Sequence, residues 1–250
     1  MKISIITVVY NNEKYIEQCI QSVINQTYKN IEYIVVDGNS SDGTLEIIKK
    51  YGNQIDVLLS EKDNGIYDAL NKGLQLATGD VVGILHSDDI YNSTDIIEKI
   101  ANEFINKDIN ALHGDLIYVQ KDDPDKIVRN WESSPFKFNN LKNGWMPPHP
   151  TLFLKKEVTE VVQNYQLQYK IAADYDFMLR VFNIPQIKSF YTPIVITRMR
   201  NGGTSNKNLI NIFKKSYEDY LILKRNKVGG LQSLFFKNFN KLSQFFLKVK

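Results

Sequence analysis

Four consecutive residues, His86-Ser87-Asp88-Asp89, follow an apolar run at positions 81–85. Carboxylate oxygens are hard ligands suited to Mg²⁺ or Mn²⁺, so Asp88 and Asp89 are candidate metal ligands at a strand end. An isolated Asp pair serves equally well as a helix cap in a solvated turn. What favours chemistry is the company it keeps. Two more polar clusters end apolar runs upstream: Thr7-Val8-Val9-Tyr10-Asn11-Asn12 and Asp37-Gly38-Asn39-Ser40-Ser41-Asp42-Gly43. In open α/β sheets the ligand crevice lies beyond the carboxyl ends of the strands, where three such clusters suit a nucleotide. No G-x-G-x-x-G follows the first run and no G-x-x-x-x-G-K-[ST] occurs, so dinucleotide and P-loop readings lose their main support. Without a glycine cradle, a divalent cation is the simplest neutraliser of diphosphate charge.

Repeating strand–helix units must position these clusters. Short β-branched runs at 3–9, 31–36, 55–59 and 81–85 read as buried strands. Helical spacing covers 13–25, 44–51, 66–77 and 93–105, the last begun by Ser93 as a cap. Units of this size predict an α/β fold, a mostly parallel sheet with helices on both faces. After Ala111 the rhythm changes. Residues 112–120 and 126–131 read as strands of a more mixed sheet, and the prolines at 147, 148 and 150 exclude an α-helix over 144–150. Residues 171–182 read as a helix, 187–200 as one or two strands broken at Pro193, and 209–223 and 231–249 as terminal helices.

Taken in order, Ile5-Ile6-Thr7-Val8-Val9-Tyr10-Asn11, then Val36-Asp37-Gly38-x-Ser40-x-Asp42-Gly43-Thr44, then Gly79-Asp80-x6-Ser87-Asp88-Asp89 resembles the inverting family 2 glycosyltransferases. The resemblance spans roughly residues 2–205. The segment Asp63-Asn64-Gly65-Ile66-Tyr67-Asp68-Ala69-Leu70-Asn71-Lys72-Gly73 is similar to a subgroup that builds bacterial O-antigen and capsular polysaccharides. The resemblance implies a GT-A fold, a nucleotide-diphosphate sugar donor such as a UDP-sugar, and a divalent cation, Mn²⁺ or Mg²⁺. It places Thr7, Val8, Tyr10 and Asn11 at the nucleotide, with Asp37 accepting the uracil imide N–H, for which an acceptor-only carboxylate is suited. Asp68 and Asn71, about one helical turn apart, share a face that could reach ribose or diphosphate. The resemblance also puts Ser87 and Asp88 at the donor. Where the family has D-x-D the first acid is His86, a metal ligand or a donor behind the ligands.

Inversion needs one base to take the acceptor hydroxyl's proton while the nucleotide leaves from the opposite face. Ala172-Ala173-Asp174-Tyr175-Asp176 resembles the family's E-D segment, with Asp174 aligned to the base and Ala173 replacing the preceding acid. Both acids also suit the first turn of a helix. His113, Asp115, Trp145, His149 and Asp176 are candidates to line the sugar or acceptor pocket. Arg198, Arg200 and Ser205 resemble a segment that closes over the donor diphosphate. A catalytically silent sugar-nucleotide or glycan-binding subunit and a nucleotidyltransferase are the competing readings.

Charge divides the chain. Its 250 residues hold 31 Lys+Arg and 28 Asp+Glu, with 43% hydrophobic and 24% charged residues, which excludes disorder and collagen. Positions 205–250 hold ten basic and two acidic residues, a net of +8, which leaves −5 for 1–204. We therefore expect a catalytic domain over 1–204, with a nucleotide half to 110 and an acceptor half beyond, and a basic helical tail over 205–250. The acidic body lacks the basic face that nucleic acid requires. The tail interleaves Phe235, Phe236, Phe239, Phe245 and Phe246 with Lys237, Lys241, Lys248 and Lys250. Such a helix suits an anionic membrane surface near a lipid-linked acceptor, or else packs on protein. The opening apolar run is too short for a signal peptide. A single cysteine excludes an internal disulfide framework and fits a cytoplasmic protein peripheral to the membrane.

Overall fold

The computed structural model describes residues 1–202 and 209–243. Strand β1 (Ile3–Val9), buried along its whole length, runs between β2 (Ile31–Asp37) and β4 (Val81–Ile84), with β3 (Val57–Ser60) outside β2. All three pairings are parallel. Successive strand side chains face opposite sides, so Ile6, Val8, Ile34 and Val36 enter one core layer while Ile5, Val9, Tyr33 and Val35 enter the other. Helices α1 (Ile16–Ile24), α2 (Thr44–Lys50), α3 (Ile66–Leu76) and α4 (Ile96–Asn106) cover these layers. Helix α4 begins later than the spacing predicts. Ser93 is not its cap: its hydroxyl bonds Asp95 Oδ1 at 2.5 Å, and Asp95 precedes the helix.

The sheet continues through strands of both directions. Its order is β3-β2-β1-β4-β8-β6-β9-β5, with β7 on β6, where β5 is Ile90–Tyr91, β6 is Ala111–Val119, β7 is Ile127–Trp131, β8 is Phe153–Lys155 and β9 is Ser189–Arg200. Strand β9 is one continuous element rather than two. Its register against β6 shifts between His113/Tyr191 and Asp115/Val195, so Thr192, Pro193 and Ile194 bulge opposite Gly114. A residue without an N–H is tolerated at such a bulge. Helices α5 (Phe138–Leu141), α6 (Lys156–Val162) and α7 (Ala173–Phe182) complete this half.

Helices α8 (Leu209–Arg225) and α9 (Leu231–Ser243) lie against the body. Ile222, Leu223 and Val228 join the core cluster that contains most of α7's apolar face. Lys237 is 2% exposed, pairs with buried Asp219 at 2.6 Å, and sits 3.1 Å from the Tyr175 ring centroid. It therefore belongs to the packed face of α9, which corrects its assignment to a membrane-facing set. Gly144, at φ +72°, lets α9 approach: a Cβ there would fall 2.6 Å from Lys237 Cα. Phe239, Phe245, Phe246 and the lysines at 241, 248 and 250 lie outside the described side chains.

Candidate active site

The ends of β1 and β2 fold into a polar rim. Asp37 is fully buried, and its carboxylate accepts the Ser40 N–H at 3.2 Å, the Ser40 hydroxyl at 2.5 Å and the Ser60 hydroxyl at 2.6 Å. Asn11, at φ 47°, accepts the Ser41 N–H at 2.8 Å and donates its own N–H to Ser40 Oγ at 2.9 Å. Tyr10 stands 63% exposed above them. A Cβ on Gly38 would lie 3.2 Å from Asp63 Cγ and 3.4 Å from Tyr10 Cδ2. Tyr10 and Asp63 thus pack closely on Gly38, where a side chain would displace them. Thr7 and Val8 are corrected: their side chains fill the core layers, and Thr7 Oγ1 accepts the Tyr33 hydroxyl at 3.2 Å. Beside Thr7, burial pushes the Cys19 thiol up to about 12, so it stays neutral.

At the end of β4, the Asp89 N–H donates to the His86 carbonyl at 2.9 Å, closing a tight turn. Ser87 Oγ accepts from Asn12 Nδ2 at 2.9 Å. His86 Nδ1 is buried with no hydrogen-bond partner among the described residues. Burial lowers the His86 pKa, while Asp88 and Asp174 act in the opposite direction. Asp89 keeps one buried carboxylate oxygen, Oδ2, with no hydrogen-bond partner among the described residues. The residue is fully buried, and burial followed by Asp88 pushes its pKa well above the usual carboxylate range. Its Oδ1 accepts the Arg200 N–H at 3.2 Å.

Arg200 is corrected as well. Only 3% exposed, it donates to the Lys121 carbonyl at 2.9 Å, to the Asp88 carbonyl and to Gln18 Oε1, and lies 4.9 Å from the Tyr15 ring centroid. Its guanidinium fastens the metal-motif turn to β9, with its donors committed to protein. Arg198 is likewise engaged, by Asn92 Oδ1 at 2.9 Å, the Pro124 carbonyl at 3.1 Å and Asp125 at 3.1 Å. Ser205 lies outside the described residues. Among the described residues no three His, Cys, Asp or Glu side chains converge on a metal-sized site. The Asp88 carboxylate, Asp89 Oδ2 and the His86 Nδ1, the last two buried without partners among the described residues, are the donors at this turn, and their chemistry suits a cation completed by phosphate oxygens.

Asp174 enters from the acceptor half in the first turn of α7, half-buried. Its Oδ1 accepts the Tyr175 N–H at 2.8 Å and lies 3.4 Å from the Tyr67 hydroxyl. That hydroxyl donates to the Ile171 carbonyl at 2.8 Å. Burial, then Asp174, pushes the Tyr67 pKa far up, so the phenol keeps its proton. Behind them His149 Nε2 meets Tyr165 Oη at 2.8 Å, and the His149 ring stacks 5.8 Å from His86. Burial holds His149 at about 4, so it is neutral.

Several expected pocket residues serve the scaffold instead. Buried Asn71 clasps the Tyr165 backbone, donating to its carbonyl at 3.0 Å and accepting its N–H at 2.7 Å, so it does not face a ribose. Asp68 accepts the Asn64 N–H at 2.9 Å and amide at 3.1 Å, closing its own helix start. Buried Asp176 pairs with Arg180 Nε at 2.8 Å and accepts from Asn226 at 3.0 Å. His113 packs against Trp145, Phe182 and Tyr191, donates Nε2–H to the Ser134 carbonyl at 3.0 Å, and is held at about 4 by burial. Asp115 accepts the Ser133 N–H at 2.7 Å and the Tyr191 hydroxyl at 2.9 Å. Trp145 does line a cavity of about 320 Å³, with Trp131, Glu132, Asn140 and Asn143. Sequence reasoning missed Asp63 and Tyr67 as site residues, although both stand in the 63–73 segment it singled out.

A four-strand parallel half and a mixed second half, flanked by helices, make up the GT-A architecture. The chain belongs to glycosyl transferase family 2, whose profile matches residues 4–158, and is a glycosyltransferase. Over 211 residues it is 29% identical to a PGL/p-HBAD biosynthesis glycosyltransferase from Mycobacterium bovis, covering 81% of this chain and 78% of that protein. The crystal structure of S. aureus TarS 1-349 in complex with UDP-GlcNAc superposes with a TM-score of 0.70 at 19% identity, over 100% of this chain and 76% of that one. Mannosyltransferase PcManGT from Pyrobaculum calidifontis, in complex with GDP-Man and Mn2+, gives 0.67 at 17% identity over 97% and 70%. Asp174 and helices α8 and α9 lie beyond the residues that the family profile matches.

Proposed function

We propose that this chain is an inverting, metal-dependent glycosyltransferase that moves a sugar from a UDP-sugar to a saccharide or lipid-linked saccharide during surface glycan synthesis. One observation carries the reading: the His86 ring at the end of β4 stacks 5.8 Å from His149, whose Nε2 meets Tyr165 Oη at 2.8 Å, and Tyr165 stacks 5.8 Å from Tyr67, whose hydroxyl lies 3.4 Å from Asp174 Oδ1. A run of contacting rings thus joins the turn that carries Asp88 to the helix start that carries Asp174. Tyr10, Gly38 and Asp63 hold the base, with Asp37 and Ser40 beneath them. Asp88, Asp89 and His86 would hold the cation, whose charge offsets that of the departing diphosphate. Asp174 takes the proton of the acceptor hydroxyl as its oxygen bonds to the anomeric carbon. The carbon–oxygen bond to the diphosphate breaks on the opposite face, the nucleotide keeps the electron pair, and the configuration inverts.

The same reading places the enzyme at the cytoplasmic face of a membrane. No described helix is long and apolar enough to cross one. Exposed Phe213, Tyr217, Leu231 and Phe235 on the basic tail are the side chains that would meet an anionic surface. The test of function is thermal unfolding with UDP-sugars and Mn²⁺, since a ligand of the native state alone raises Tm. Stabilisation by a UDP-sugar should require Mn²⁺ and vanish in Asp88→Ala. Equal stabilisation without the cation would overturn the metal assignment.

A further inference from the structure

The segment that delivers Asp174 has no cap of its own. Helix α7 starts after Ala172, whose side chain holds no oxygen to accept an N–H. Its entry is fixed from two distant elements instead. Glu218 on α8 accepts the Lys170 N–H at 2.9 Å with one carboxylate oxygen, and the Ile171 and Ala172 N–H groups at 3.0 and 2.9 Å with the other. On the other side of the same peptide the Ile171 carbonyl accepts the Tyr67 hydroxyl. Ile171 is therefore gripped through both its backbone polar groups, three residues before Asp174. The next residue, Asp219, pairs with Lys237 of α9, and Lys237 lies over the ring of Tyr175, the residue after Asp174. That buried pair ties α8 to α9 at the residue beside Glu218.

We propose that Glu218 is a positioning residue for the base: its carboxylate binds the backbone of residues 170–172 and so fixes where Asp174 meets the acceptor hydroxyl. The tail helices are then a strut of the acceptor half, whatever else they touch. The proposal rests on Asp174 being the base. A carboxylate at a helix start is favoured by the helix dipole, and charge-assisted hydrogen bonds of this kind are the strong ones. No other carboxylate among the described residues accepts three consecutive backbone N–H groups.

The test uses the full chain with Mn²⁺ and UDP-GlcNAc, UDP-glucose or UDP-galactose, measuring released UDP for Glu218→Ala, Glu218→Gln and Asp174→Asn. The UDP comes from donor hydrolysis, in which water takes the place of the acceptor hydroxyl. Displacing a reacting group by about 1 Å costs on the order of 100-fold, so kcat of Glu218→Ala should fall at least about tenfold. KM for the donor should stay within about twofold, because the nucleotide half is untouched. Glu218→Gln, which keeps one acceptor oxygen, should recover part of the loss. Hydrogen exchange adds a readout independent of substrate: amides 170–172 should lose protection in both Glu218 variants while those of β1 keep theirs. Unchanged protection at 170–172 overturns the proposal, as does a wild-type kcat in Glu218→Ala beside an inactive Asp174→Asn. So does a loss shared equally by kcat and donor affinity. Full activity in Asp174→Asn sinks the base assignment instead. Should Glu218→Ala not fold, Glu218→Gln carries every readout.

Discussion

Replacing Tyr67 by Phe removes the hydroxyl that donates to the peptide that Glu218 grips. The ring stays, stacked 5.8 Å from Tyr165, so apolar packing is conserved. What is lost is the 2.8 Å donation to the Ile171 carbonyl and the 3.4 Å approach to Asp174 Oδ1. The second contact is too long to count as a full hydrogen bond, so the carbonyl accounts for most of the effect. Leaving a buried acceptor without its donor costs about 1–3 kcal/mol, and a half-buried site such as this one about 1. In a chain of this length that is a Tm fall of roughly 2–4 °C. The same looseness at Ile171 should lower kcat about three- to tenfold, equivalent to roughly 0.7–1.4 kcal/mol in the barrier. Donor KM should not move. Differential scanning fluorimetry and a UDP-release assay read both quantities on one preparation. Because Tyr67 and Glu218 hold one peptide, Tyr67→Phe combined with Glu218→Gln should deviate from additivity by at least about 0.5 kcal/mol in kcat. Strict additivity, or a Tm fall with kcat unchanged, would refute the two-sided grip.

Two further outcomes follow from geometry elsewhere. Gly38→Ala puts a Cβ against Asp63 and 3.4 Å from Tyr10 Cδ2, so donor KM should rise roughly three- to tenfold with kcat at saturation retained, a loss of uniform binding; an unchanged KM removes Gly38 from the nucleotide site. Glu32 is buried, which opposes its ionisation, but Lys2 at 2.7 Å, Ser4 at 2.5 Å and Thr78 N–H at 2.7 Å outweigh burial and hold its pKa at about 2. A folded pKa below the unfolded value of 4.5 means that the stabilisation is complete above 4.5 and is lost as pH falls towards 2. Allowing for partly exposed Lys2, that is about 2 kcal/mol. Urea unfolding between pH 2 and 6 should show Glu32→Gln flattening this acid limb; an unaltered slope counts against it.

Much of the nucleotide half was legible because two periodicities were on display. Buried β-branched runs announced β1, β2 and β4, and the polar clusters that follow them form the turns at those strand ends. Side-chain direction was not legible. Thr7 alternates into the core by strand geometry, and Asn71 shares a helix with Tyr67 yet turns to clasp the Tyr165 backbone. In each case the partner is distant in sequence, 26 and 94 positions away. Pro193 read as a break because a bulge depends on the facing strand. Composition misled most at Lys237, where a basic aromatic helix looked like a surface element. Its charge is met by Asp219 inside the protein. The same tail supplies Glu218, whose partners lie 46 to 48 positions upstream.

The central claim is that Asp174 is the base acting on a donor held by the opposite half. The most direct measurement is the rate of UDP release by Asp174→Asn, with the UDP-sugar and Mn²⁺ that stabilise the wild-type protein. A general base contributes about 10²–10⁴-fold, so release should fall by that factor while the Mn²⁺-dependent gain in Tm remains. Release within about twofold of wild type, with donor binding intact, would contradict the account.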